Sequence, residues 1–227
     1  MTFKYKGNEY SITGRKEKHF REIEIMELIS SYKLRNSMID CGANYGNHTV
    51  YFASNTEVQK IFSFEPMPEI YPILLKNVKD NKIEHKVECF NYAVGNKEKE
   101  LNLISEIPRT QGAFWFWYKD EEATHPKDMG YYEHSKGTNR TIIVRSIRID
   151  DFLKTDDKID FMKIDVEGME LEVLKGAAKL IDTHRPLLYV EVCKGTKNLM
   201  ECWILNNFYK KVKNKCLFGH HWLLEPR

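Results

Sequence analysis

No stretch of the chain keeps about 18 apolar residues together, so no segment has the length of a membrane-spanning helix. The opening MTFKYKGNEYSITGRKEKHF lacks the apolar core of a secretory leader. Cysteine is sparse: Cys41, Cys89, Cys193, Cys202 and Cys216 are odd in number and show no CxxC spacing. That excludes a disulfide frame and a paired-cysteine zinc site, and the thiols read as free in a reducing compartment. A basic block is also missing. The net charge is +2 and the lysines are dispersed, so no nucleic-acid footprint is expected. Repeats and low-complexity tracts are absent. The sequon NHT at Asn47 lies in a glycine-rich loop that a glycan would block, which also favours a cytoplasmic protein.

What is present is enough chain, 227 residues, to bury one large core, and a single domain is expected over 1–227. Residues 1–36 read as a small hairpin around Gly7-Asn8 and then a helix between Lys16 and Tyr32, with Phe20, Ile23, Met26, Leu28 and Ile29 as its stripe. Apolar strands follow at SMIDCG, KIFSFEP, HKVECFNYAVG and KELNLISEI, then at TIIVRSIRI, KIDFMKIDVEG and RPLLYVEV. Helices are expected from Gly46, over EIYPILLKNVKDN, over MELEVLKGAAKLI with Leu171, Leu174, Ala178 and Ile181 on one face, and over KNLMECWILNNF. Asp150 or Asp151 is placed to cap a short helix, and the last residues, to HHWLLEPR, suggest a closing strand pair. Strand and helix alternate, which predicts an α/β sandwich with a mostly parallel sheet. The segment 108–139 breaks the rhythm: it is polar, yet it carries FWFWY and YY, as a functional insertion would.

In an open parallel sheet, ligands bind beyond the carboxyl ends of the strands. Those ends are Asp40 to Gly46, Glu65, Asn91 to Ala93, Asp165 to Gly168, and Glu191, and most carry a carboxylate. The loop in MIDCGANYGNHT is spaced GxNxG. In a dinucleotide fingerprint glycines would stand at Asn44 and Asn47, where these side chains obstruct a pyrophosphate, so a nicotinamide enzyme is disfavoured. No GK[ST] follows, which excludes a P-loop. Such a loop suits an amino-acid tail. Glu65, about 20 residues further on, stands where a βαβ unit sets an acid against a ribose diol. An amino acid joined to a nucleoside is S-adenosylmethionine. A helix N-terminal acid is the other reading of Glu65.

MIDCGANYGNHT, FSFEPMPE, NYAVG, IRIDDFL, KIDVEGMELEVLKGA and RPLLYVEV, in that order and spacing, resemble the FkbM-type methyltransferases over roughly Ser37 to Cys193. The resemblance implies the class I methyltransferase fold, a Rossmann-like three-layer sandwich with a mostly parallel seven-stranded sheet. It implies S-adenosylmethionine as cofactor, held by Asp40, Gly42, Asn44, Tyr45, Gly46 and Thr49 at the methionine end. Glu65 and Pro66 would lie at the ribose, and Asn91 and Ala93 at the adenine. Family members commonly methylate sugar hydroxyls of glycans or natural products, so a carbohydrate acceptor is the expected partner, for a monomer or homodimer.

Methyl transfer to a hydroxyl gains from a base at the acceptor proton. Asp165, Glu167, Glu191 and Lys163 are the candidates near the strand ends, with Asp165 and Glu191 expected to face cofactor and acceptor. On a continuing strand Asp165 and Glu167 would share a face. Glu167 has a helix-dipole alternative, and for Lys163 an ion pair is the safer reading. His48, His125 and His134 are further candidate bases, His134 foremost because it lies in the insertion. Asp165, Glu167 and Glu191 offer oxygen ligands of the kind Mg²⁺ prefers. Nothing fixes their geometry, so a divalent metal is possible but not favoured, and no ligand is assigned. Trp115, Trp117, Tyr118, Tyr131 and Tyr132 are read as a platform for a pyranose ring, with packing of the insertion as the alternative; Arg109 and Arg145 are candidates for an anionic group, with a solvated surface the favoured reading of either. A small natural-product hydroxyl is the alternative acceptor, and a non-catalytic S-adenosylmethionine-binding module the alternative class.

Overall fold

The structure, a computed structural model, describes residues 2–106, 116–118, 139–154, 156–192, 195–214 and 220–227. The chain opens with the antiparallel hairpin of β1 (Thr2–Tyr5) and β2 (Asn8–Ser11) and continues to α1 (Ile23–Ser30). This helix is shorter than the expected one because Glu22 takes a left-handed conformation, φ 57°, and breaks the run before it. Phe20 thus leaves the helical stripe but not the core: its ring packs edge-on against Phe3, Tyr10 and Tyr51.

Strands and helices then alternate: β3 (Ser37–Cys41), α2 (Asn47–Asn55), β4 (Lys60–Phe64), α3 (Tyr71–Asp80), β5 (Val87–Phe90), β6 (Ala93–Val94), β7 (Lys99–Glu106), β8 (Phe116–Tyr118), β9 (Asn139–Ile147), α4 (Ile149–Phe152), β10 (Ile159–Ile164), α5 (Glu170–Gly176), α6 (Ala178–His184), β11 (Leu187–Glu191), α7 (Lys197–Asn206), β12 (Tyr209–Lys211) and β13 (His221–Pro226). Seven strands form one sheet in the order β12-β13-β11-β10-β3-β4-β5. Its five strands from β11 to β5 are parallel, and β13 and β12 close the edge antiparallel. The run HKVECFNYAVG, expected as one strand, divides: β5 completes the large sheet, while β6 joins β9, β7 and β8 in a second one.

Alternation along the strands sends neighbouring side chains to opposite faces. Met38, Phe161 and Tyr189 go to the core beneath α1, α2 and α3. Ile39, Met162 and Leu188 go to the core beneath α5, α6 and α7. A sheet covered on both faces favours apolar runs, and β3 is buried at every position, Asp40 included. Among the described residues no helix is long and apolar enough to cross a membrane.

Two local expectations change. The helix read through MELEVLKGAAKLI bends at Ala177 into α5 and α6, so Ala177 takes the buried position and Ala178 faces outward. Gly176 abuts the Gly95 carbonyl there, too close for any side chain. Asp150 sits inside α4 without capping it. Its carboxylate accepts the N–H groups of Lys179 and Leu180, each at 3.0 Å, and so caps α6.

The N-terminal segment is held by two asparagines one turn apart, Asn77 in α3 and Asn81 at its C-cap. The Asn81 amide exchanges hydrogen bonds with the N–H and carbonyl of Ser11, at 3.0 and 2.7 Å. The Asn77 amide does the same for Thr13, at 2.7 and 3.0 Å, and also donates to the Tyr45 carbonyl at 2.7 Å. One fully buried side chain therefore ties the N-terminal segment to the glycine loop. Replacing it leaves three backbone groups unmatched. Asn77→Ala is expected to lower the unfolding free energy by about 2–4 kcal/mol, and urea unfolding of the two proteins checks it.

Candidate functional site

Strand register dictates what lies under and over the loop. Across the large sheet Cys89, Ser63, Asp40, Lys163, Tyr189 and Leu223 are successive cross-strand partners. Paired residues face the same side, so they form a transverse row. Its middle is polar and closed off from water. Lys163 Nζ lies 3.2 Å from Asp40 Oδ1 and 3.5 Å from Asp165 Oδ2, and donates to the Gly42 carbonyl at 2.8 Å. Thr49 Oγ1 donates to Asp40 Oδ2 at 2.7 Å and lies 2.8 Å from Ser63 Oγ. Burial alone would lower the Lys163 pKa, but Asp40 and Asp165 outweigh it and hold the amine charged.

Asp40 and Thr49 were expected to face a ligand, yet both are fully buried beneath the loop. They bond to each other because a buried carboxylate must be matched, and their part is to support the loop. Gly42 begins that loop with φ 77°, and a Cβ there would stand 1.9 Å from the Asp165 carbonyl. Only glycine lets β3 turn away so close to the neighbouring strand end. Asn44 is also left-handed, a conformation its short amide tolerates, and its Oδ1 accepts the Tyr45 N–H at 2.8 Å. Gly46 ends the loop at φ 83° and leads into α2.

Glu65 stands one residue past β4. Its carboxylate accepts the Asn44 N–H at 2.8 Å and the Met67 N–H at 2.9 Å, joining the ends of two strands. Burial pushes its pKa up to about 7 against the pull of those two donors. Asn91 donates from the next strand end to the carbonyls of Glu65 and Pro66, at 2.9 and 3.1 Å. Ala93 is buried in β6, and Tyr45 turns into the core below the loop.

Two residues above the buried row, Asp165, Glu191 and His221 come together. Asp165 continues β10 by donating its N–H to Cys41 O at 3.2 Å. Glu191 and His221 are direct cross-strand partners on β11 and β13. One ligand-type atom from each of the three lies within 4.8 Å of the others, and His221 Nε2 is 3.9 Å from Asp165 Oδ2. Burial would raise Asp165, but Lys163 and His221 hold it well below the usual carboxylate range. Burial first and then Asp165 push Glu191 up to about 8. Burial, then Glu191 and Asp165, push Glu167 to about 8 as well.

The expected shared face of Asp165 and Glu167 is not formed. The strand ends at Ile164, and Glu167 turns left-handed at φ 56° ahead of α5. Glu170, in the first turn of α5, accepts the Gly168 N–H at 2.9 Å and so holds the turn that leads into the helix. His48 is paired, with Nε2 3.1 Å from Glu22 Oε2. Burial opposes that contact, yet His48 and His221 draw Glu22 down to about 2.

Trp117 and Tyr118 fall on β8, whose backbone pairs with β7. Arg109, Trp115, His125, Tyr131, Tyr132 and His134 lie outside the described residues. Sequence reasoning missed His221, Glu22 and Tyr189. Only HHWLL, histidines just before an apolar run, hinted at the first.

Two consequences are measurable. Lys163→Met leaves Asp40 buried without its cation and takes one of two basic partners from Asp165, and the unfolding free energy is expected to fall by about 3–5 kcal/mol in urea titrations. Glu65 has its folded pKa raised above the unfolded value, so the fold binds its proton more tightly than the unfolded chain. Its contribution is therefore full below the unfolded pKa and is lost as pH rises through about 7. Thermal unfolding from pH 5 to pH 8 should show the wild type losing stability relative to Glu65→Gln. A constant difference would mean that Glu65 stays ionised throughout.

Comparison with known proteins places this geometry. A family model described as the methyltransferase FkbM domain matches residues 40–210. Methyltransferase sdnD of Sordaria araneosa is 29% identical over 158 residues, covering 61% of this chain and 59% of its own. The hexuronic acid methyltransferase AglP of Haloferax volcanii is 23% identical, covering 69% and 55%. The chain thus spans less than two thirds of the length of either relative. Among solved structures, the FkbM methyltransferase of Methylobacillus flagellatus superposes with a TM-score of 0.54 at 18% identity, covering 84% of this chain and 43% of that one. M. jannaschii TYW2, solved in complex with AdoMet, reaches 0.51 at 13% identity, covering 98% and 82%. These neighbours share the class I methyltransferase fold with the seven-stranded, mostly parallel sheet. With three quarters of its length inside the matched span, the chain belongs to the FkbM methyltransferase family.

Proposed function

We propose that this methyltransferase takes its methyl group from S-adenosylmethionine and places it on a sugar hydroxyl during glycan or polysaccharide synthesis. The observation that carries the reading is the shared edge: the glycine loop and Glu65 end β3 and β4, and Asp165, Glu191 and His221 end the strands beside them. The residues fit the cofactor. Gly42, Asn44 and Pro66 keep accessible surface above a sealed polar row, and the Gly42 turn brings bare backbone to that surface.

Gly42 and Asn44 would hold the amino-acid end, and Glu65, whose carboxylate has lone pairs beyond the two it uses, the ribose hydroxyls. Pro66, Asn91 and Ala93 would border the base. When bound, S-adenosylmethionine supplies a sulfonium methyl whose carbon bonds to the acceptor oxygen as the carbon–sulfur bond breaks and its electron pair stays on sulfur.

The acceptor proton needs a group free to receive it. Asp165 is committed to Lys163 and His221, whereas Glu191 Oε2 has no hydrogen-bond partner among the described residues. Glu191 is assigned as the base, within an orientation set by Asp165 and His221. The sugar reading is supported by the name of the Haloferax volcanii relative and by the aromatic segment 108–139. Trp115, Trp117, Tyr118, Tyr131 and Tyr132 are assigned to the pyranose faces and Arg109 to an anionic substituent.

The test is transfer of labelled methyl from S-adenosylmethionine to deoxysugar and hexose glycosides, a hexuronic acid glycoside, a polyketide alcohol, catechol and RNA. Label in a glycoside is the expected result, and label confined to the alcohol, catechol or RNA overturns the sugar assignment. Glu191→Gln should slow transfer by about 100-fold or more while calorimetry shows S-adenosylmethionine affinity nearly unchanged. Equal loss of both would make Glu191 part of the cofactor site.

A further inference from the structure

Four carboxylates gather at the strand ends. Asp165, Glu167, Glu191 and Glu22 act on one another there, and against them stand Lys163, His48 and His221. Lys163 is shared, since it also serves Asp40 and the Gly42 carbonyl. Glu191 Oε2 and His221 Nε2 are buried and have no hydrogen-bond partner among the described residues.

A second, independent feature points into the same place. Tyr189 is wholly buried, and its hydroxyl also has no hydrogen-bond partner among the described residues. The ring stacks on His221, with centroids 5.0 Å apart and planes 17° from parallel. It lies 6.3 Å from the His48 ring, and its hydroxyl feels the charges of Glu22, Asp165 and Glu191. A buried phenol stacked on His221 without a matched bond calls for a polar partner at this place.

We propose that Asp165, Glu191 and His221 form a divalent-cation site at the ends of β10, β11 and β13. Ligands at about 2.1 Å from one ion stand about 3 Å apart when adjacent and about 4 Å apart when opposite. The three donor atoms lie within 4.8 Å, so small side-chain rotations close the set. Two carboxylates and one imidazole suit Mn²⁺ or a similar transition ion better than Mg²⁺, which takes oxygen donors almost alone. The remaining positions would take water, reached by the Tyr189 hydroxyl, and an acceptor hydroxyl. A carboxylate that ligates through one oxygen keeps the other, so Glu191 still receives the hydroxyl proton as the methyl group arrives. The acceptor role rests on the function proposed above, but cation binding does not.

The experiment titrates the full chain with Mn²⁺ and follows free ion by electron paramagnetic resonance, without S-adenosylmethionine. One bound Mn²⁺ per chain is expected, weakened about tenfold or more in Glu191→Gln and in His221→Gln. Circular dichroism establishes that each variant is folded. Surface variants Glu57→Gln and Glu225→Gln should bind as the wild type does. No Mn²⁺ bound up to millimolar concentration, or binding that both site variants retain, overturns the proposal. Calorimetry with S-adenosylmethionine alone reads the methyltransferase assignment separately. A chain that binds Mn²⁺ through these residues but no S-adenosylmethionine keeps the cation site and loses the assigned reaction.

Discussion

The Lys163–Asp40 contact is the constraint around which the upper part of the molecule is organised. A buried ion pair gives little net stability by itself, because two charges have left water, but each partner alone would be far worse. The fold answers by meeting every nearby demand with the same few groups. Lys163 charges against Asp40 and Asp165 and also donates to the carbonyl that opens the glycine loop. Asp40 is satisfied from its other side by Thr49, which reaches Ser63 on the next strand. The loop therefore rests on a polar row spanning adjacent strands and α2, and its shape cannot change without unpairing a buried charge.

That support explains how one strand edge can serve two tasks. The loop side is made of backbone: a glycine turn, a left-handed asparagine, and N–H groups already shared with Glu65. The β10–β11–β13 side is made of side chains, where burial first and then neighbouring carboxylates raise Glu167 and Glu191 to about 8 beside the His221 imidazole. Lys163 stands between them. It is the only described lysine that is fully buried, and it keeps Asp165 ionised while fixing the turn that a cofactor would approach. Electrostatic strain on one side and backbone precision on the other are thus linked through a single ammonium group.

Much of this was legible in the residues. Strands buried on both faces read as apolar runs, and a carboxylate at or just past the end of such a run stands out, so Asp40, Glu65, Asp165 and Glu191 marked the edge in advance. Which of them would be accessible was not legible. Asp40 and Asp165 look alike in sequence, and only the register that sets Lys163 beside Asp40 sends one below the loop and leaves the other above it. His221 was hidden for a topological reason. Parallel strands bring their last residues to the site, whereas β13 runs the other way and brings its first. Local pattern carries no record of that reversal. The bend at Ala177 escaped as well; Gly176 meets the Gly95 carbonyl there, a contact with a distant segment that local pattern does not record.

The N-terminal hairpin shows the same logic acting at a distance. Ser11 and Thr13 meet α3 through Asn81 and Asn77 in a pattern that imitates strand pairing, with side-chain amides in place of a backbone. The third bond of Asn77, to the Tyr45 carbonyl, carries that order into the loop. Gly14 sits so near the Tyr45 ring that a Cβ there would lie 2.6 Å from it, so the absence of a side chain leaves the ring its place in the core. The loop is then fixed from three directions: from below by Lys163, from the side by Glu65, and from behind by Asn77. A loop of glycine and asparagine has many conformations to lose on folding. Three anchors of buried hydrogen bonds remove them beforehand, so a ligand arriving at this edge meets a turn already in place.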